Sequence, residues 1–186
     1  MYFHFDPVYM LYVFLPLLVL TGLCHLWVKA AYAKYSRIGN QHGVTGAEAA
    51  QIILKSAGVD DVRVEQVDGF LSDHYSPREK VLRLSPQNYS NASIAAVGIA
   101  AHEAGHALQH ARGYAPLAIR NIAVPLASIG SGFGYLVIMI GLAMSRGSGV
   151  VNAFTLIGLG LIASVAVFQL VNLPVEFNAS KRARQV

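Results

Sequence analysis

His102, Glu103 and His106, within the run His102-Glu103-Ala104-Gly105-His106, have the types and spacing to do chemistry together. On a helix, four residues make about one turn, so the two imidazoles return to one face and can reach a single ion. Glu103 is rotated by about 100° from His102, which puts its carboxylate beside that ion without enclosing it. This suits a general base that takes a proton from metal-bound water. With the histidines and glutamates this chain has, chance would supply roughly 0.007 such matches, so coincidence is a poor explanation. A catalytic zinc site takes three protein ligands and leaves one position open. The third is expected to be Glu176, the sole acidic residue after Glu103, in Glu176-Phe177-Asn178-Ala179-Ser180. Its alternative use is an ion pair with Lys181 or Arg182. Zinc is the expected ion, because two neutral imidazoles and a carboxylate around an open position are its usual catalytic set. Ligand type alone also admits manganese or iron.

The elements that must position these residues divide into membrane and non-membrane parts. Of the 186 residues, 54% are apolar and only 13% charged, too greasy a balance for an ordinary soluble domain. Runs 8–28, 122–144 and 150–171 contain no Asp, Glu, Lys or Arg. Each is long enough to cross a bilayer as a helix, which takes about 20 residues. The first is not a secretory signal, since no basic residue precedes it. Asp6 precedes it, whereas Lys29, Lys34 and Arg37 follow. The positive-inside rule therefore puts the amino terminus outside and residue 29 onwards in the cytoplasm. Arg112 and Arg120 flank the second span and Lys181, Arg182 and Arg184 follow the third, with Arg146 in the outer loop 145–149 the one exception. Two crossings return Glu176 to the side of His102 and His106. The chain thus divides into transmembrane helices over 8–28, 122–144 and 150–173, a cytoplasmic peptidase domain over 29–121, and a helix start over 174–186 bearing the third ligand.

Within 29–121, Thr45 and Glu48 fit a capping box for a helix that ends at Gly58. Val62 and Val64 suggest a short strand, and 74–84 reads as a hairpin turning at 76–79. Ser90 or Asn91 can cap the next helix, which should run to about Arg112. That helix is uncharged over 92–101, so it is expected to be buried on every side until it meets His102. A bound cation would then compensate its titratable turn.

The net charge of +4 follows the membrane ends. It therefore points to anionic lipid and away from nucleic acid as a partner. Cys24 is the sole cysteine, which excludes an internal disulfide or a cysteine metal cluster. His110 falls on the ligand stripe but would close the open position, so an exposed or supporting role is expected. His74 and Tyr75 are candidates for stabilising a developing oxyanion, or else a hairpin packing pair. His25, near Trp27, reads as interfacial. Gly130 and Gly134, and Gly158 with Gly160, let helices approach closely, either within the chain or between copies in a homo-oligomer.

Three segments carry a resemblance: Asp73-His74-Tyr75-Ser76-Pro77-Arg78 with Val81-Leu82-Arg83-Leu84-Ser85, Ala100 to His110, and Pro174 to Ala183. Together they resemble the YugP-like neutral zinc metallopeptidase family of bacterial membrane proteins, over nearly the whole chain. The resemblance implies a gluzincin-type ligand set, carried onto His102, His106 and Glu176. It also implies a short sheet whose edge strand receives an extended peptide, with residues 80–85 the candidates. Family members continue past the last motif into further helical, apolar sequence.

The expected protein is an α-helical membrane protein with three transmembrane helices and a small α+β zincin-like cytoplasmic domain. It would be a zinc-dependent endopeptidase of the bacterial cell membrane, acting on peptides or membrane proteins. A non-catalytic zinc-binding scaffold is the alternative, and such a scaffold has no use for Glu103. A transporter is disfavoured because the spans hold no ionisable residue except His25.

Overall fold

The computed structural model describes residues 7–145 and 151–185. Asp6 and the outer loop with Arg146 lie outside the described residues. Three helices are long and apolar enough to cross a membrane: α1 (Pro7–Tyr35), α5 (Ala115–Met144) and α6 (Ala153–Ala183). At 1.5 Å per residue each is about 45 Å long, more than the ~30 Å hydrocarbon core. The helices therefore outrun the charge-free segments, because helical hydrogen bonding has no reason to stop at the lipid boundary.

α1 buries no residue. By contrast α5 and α6 form a tight antiparallel hairpin. A Cβ on Gly130 would come 2.2 Å from the Leu161 carbonyl oxygen, and one on Gly158 would come 2.5 Å from Ile138 Cγ1. Gly134 is similarly close to Ile162, at 2.8 Å. These three glycines are used for packing inside the chain, whereas Gly160 faces open space. Asn152 caps α6 by accepting from the Thr155 N–H, and its amide donates to the Gly141 carbonyl at 2.7 Å, tying the two helix ends together.

Between α1 and α5 lie α2 (Gly46–Ser56), β1 (Arg63–Gln66), β2 (His74–Ser76), β3 (Val81–Leu84), α3 (Pro86–Ser90) and α4 (Ile94–Ala111). The capping box at Thr45 and Glu48 is formed. One core joins α2, the sheet and α4 through Ala50, Ile53, Leu54, Leu82, Ala100 and Ala104. Small residues on α4 let α2 come close, and Gly46 leaves no room for a Cβ against the Asn88 carbonyl.

Three sequence expectations change here. The strand order is β1-β3-β2, with β3 parallel to β1 and antiparallel to β2. Residues 80–85 therefore lie in the central strand, hydrogen-bonded on both sides, and cannot be the receiving edge; β2 and β1 are the edges. The cap of α4 is Ser93, whose hydroxyl accepts from the Ala96 N–H, because Pro86 starts a separate short helix ahead of it. Nor is α4 buried on every side. Ile94 is 45% exposed, and Ala95, Gly98 and Ile99 face an apolar groove against Trp27 and Tyr32 of α1. A fourth difference concerns α6, which runs through Pro174 without a break, so residues 174–183 are not a separate helix. Proline removes one helical hydrogen bond, but its φ already suits the helix.

Candidate metal centre

The C-terminal half of α4 packs against the end of α6, and this contact builds the site. Gly105 makes the approach possible: a Cβ there would lie 2.6 Å from the Ala179 carbonyl oxygen. Ala104, Val175 and Ala179 are fully buried around it. One helical turn on α4 presents His102 and His106, with ring centroids 4.9 Å apart and planes at 84°. Across from them, Glu176 Oε2 lies 3.1 Å from His102 Nε2 and 3.5 Å from His106 Nε2. The structure thus brings all three expected ligands together, with ligand atoms within 4.8 Å of one another.

The donor set fits zinc. Tetrahedral ligands at ~2.0–2.1 Å from the ion stand about 3.3 Å apart. Both oxygen–nitrogen separations sit close to that value. The imidazole tautomers are also prepared. Gln109, fully buried, donates its Nε2 to the Val175 carbonyl at 2.8 Å and to Asn178 Oδ1 at 3.0 Å. Its Oε1 can then only accept, and it meets His106 Nδ1 at 3.0 Å. The His106 proton is held on Nδ1, and the Nε2 lone pair is left for a metal. Ser180 Oγ meets His102 Nδ1 at 3.2 Å, a contact in which the hydroxyl can accept from an Nδ1–H. Arg182 Nε anchors the far end of the chain by donating to Asn178 Oδ1 at 2.7 Å.

Glu103 is not a member of the three-residue group. Its carboxyl is pushed above the ordinary carboxylate range, mainly by burial, while the two imidazoles pull it back. His102 is shifted up, chiefly by its hydrogen bond to Glu176, with burial opposing.

Other sequence candidates are placed elsewhere. Tyr75 OH pairs with His110 Nδ1 at 2.8 Å, and burial pushes the phenol up to about 12, so it remains protonated. His74 Nδ1 bonds to the Ser72 carbonyl at 2.8 Å. Lys181 and Arg182 do not pair with Glu176, since Arg182 is committed to Asn178. The cation that does approach Glu176 is Arg120, with Nη2 3.8 Å from Oε1.

Sequence reasoning missed Gln109, Asn178, Ser180 and Asp73. Gln109 stands three residues after His106 and Ser180 four after Glu176, so helical spacing was the available signal. Asp73 accepts from the Ser85 N–H and hydroxyl and from the Asn88 amide, which fixes the entry to β2.

A model of the family described as "Putative neutral zinc metallopeptidase" matches residues 9–186. The chain is 42% identical over 181 residues to the Bacillus subtilis (strain 168) protein named "Putative membrane protease YugP", an overlap of 95% of this chain and 77% of that one. No solved structure matches it.

Proposed function

Because this chain belongs to the neutral zinc metallopeptidase family, we propose that it is a membrane-embedded endopeptidase with a zincin-like domain on the cytoplasmic face. The observation that carries this reading is the convergence of His102, His106 and Glu176, with Glu103 beside the group and outside it. When bound, zinc supplies Lewis acidity and a water acidified to near neutrality. His102, His106 and Glu176 would hold the ion, with His102 Nε2, His106 Nε2 and Glu176 Oε2 the atoms that face one another. Glu103 takes a proton from the attacking water and passes it to the leaving amine. Gln109 keeps His106 in the ligating tautomer, and Ser180 orients the His102 ring. A protein that merely stored a structural ion would have no use for Glu103.

The test is direct. Protein purified without chelators should carry about one zinc per chain and cleave an unfolded generic substrate, and a chelator should abolish cleavage reversibly. Absence of any transition metal by elemental analysis would sink the reading.

Arg120 near the start of α5 and Glu176 near the end of α6 stand at one level, so the site lies at the lipid–water boundary. Its substrates are chains at or near the inner membrane surface. The basic residues at the C-terminal ends of α1 and α6 favour an inward-facing domain. In a Cys24→Ser background, cysteine introduced at Asp60 should react with a membrane-impermeant maleimide only after cells are opened. Labelling of intact cells would reverse the orientation.

A further inference from the structure

Arg120 reads in the sequence as one of the charges that orient the second span. The structure turns it inward. Its guanidinium lies on the Oε1 side of Glu176, opposite the oxygen that faces the imidazoles, and at 3.8 Å it is not hydrogen-bonded there. Its Nε is buried and has no protein partner. A guanidinium carries five N–H donors in a fixed fork and never loses its charge. Buried donors of that strength are normally paired, and an unpaired one beside reacting groups marks a place where a reacting partner docks.

The neighbouring groove gives that partner a path. A groove of about 530 Å³ lies between the edge strand β2, at His74, Tyr75 and Ser76, and α5, at Asn121, Val124 and Pro125. Arg120 does not itself line the groove, but it precedes the lining residue Asn121 on the same turn of α5 and its guanidinium reaches Glu176. An extended chain laid along β2 would bring a carbonyl between the two. Of the donors first considered for that carbonyl, the Tyr75 hydroxyl is paired with His110 and His74 uses its Nδ1 on the Ser72 carbonyl.

We propose that Arg120 is a catalytic residue, whose guanidinium donates to the scissile carbonyl oxygen as that oxygen takes on negative charge. This rests on the peptidase reading above. A fixed donor aimed at developing charge acts most strongly in a site shielded from water, and losing one such donor typically lowers kcat by about 100- to 1000-fold.

The experiment uses the full-length zinc-loaded protein and two tetrahedral analogues of a peptide it cleaves, an anionic phosphinate and a neutral hydroxyethylene. Zinc content is read by elemental analysis and analogue affinity by calorimetry. Arg120→Met should keep its zinc and lose roughly 100-fold in phosphinate affinity, with hydroxyethylene affinity changed by less than about threefold. Its kcat should fall with little change in KM, and Arg120→Lys, which keeps the charge without the fork, should recover part of both losses. If Arg120→Met does not fold, Arg120→Lys carries the same comparison. Unchanged phosphinate affinity would overturn the proposal, as would equal losses for the two analogues. Loss of zinc in both variants would also overturn it, by assigning Arg120 to holding Glu176. A parent protein that binds neither zinc nor phosphinate would instead remove the peptidase reading itself.

Discussion

Glu103→Gln is expected to keep the parent's zinc content while losing about 100-fold or more in turnover. The side chain sits beside the ligand group without belonging to it, so removing its charge takes nothing from the ion. Glutamine keeps the length and nearly the volume of glutamate, so packing around the buried position changes little. What disappears is the capacity to accept a proton. Burial raises that carboxyl above the usual carboxylate range, the direction that makes it a stronger base. Elemental analysis and initial rates on one preparation separate the two effects. A variant that cleaves as fast as the parent would refute the mechanism.

Glu176→Ala should act in the opposite order, on metal first and rate second. On the proposed site it would remove one of three ligands and leave two imidazoles and solvent, so zinc affinity should fall sharply. Glu176→Asp keeps the charge but shortens the reach by one methylene. Oε2 now stands 3.1 Å and 3.5 Å from the two ring nitrogens, and a shorter side chain cannot keep both separations. The aspartate variant should therefore retain some zinc with poor catalytic geometry. The ion-pair alternative predicts otherwise, because an exposed pair contributes only ~0–1 kcal/mol and alanine would cost little. If competition with a chelator finds zinc held as tightly in Glu176→Ala as in the parent, the site must be redrawn.

Parts of this arrangement were legible because they are local. Four residues of helix are enough to put His102 and His106 on one face, and the Thr45–Glu48 capping box closes on itself within one turn. The hairpin β2–β3 was legible from its turn at 76–79 and the apolar residues that follow it. Its other partner was not, since the parallel pairing of Arg63–Gln66 with Val81–Leu84 joins segments with no local signal. That missing pair is why 80–85 was taken for an edge. The approach of Arg120 to Glu176 was not legible for a related reason. A helix that is apolar nearly all round has no periodicity to say which face meets protein and which meets lipid. Gln109 escaped notice because its amide is satisfied by Val175 and Asn178, which lie across the membrane hairpin from it in sequence.

The division of the ligands between α4 and α6 bears on how the protein is made. His102 and His106 leave the ribosome before either arm of the α5–α6 hairpin exists, and Glu176 is translated after nearly all of it. Until both arms have entered the bilayer and folded together, the nascent chain offers an ion only two imidazoles. Gln109 likewise has nothing to hold it, because both of its acceptors belong to α6. On the peptidase reading proposed above, metal capture would follow insertion, and copies that stall before integration would lack the third ligand.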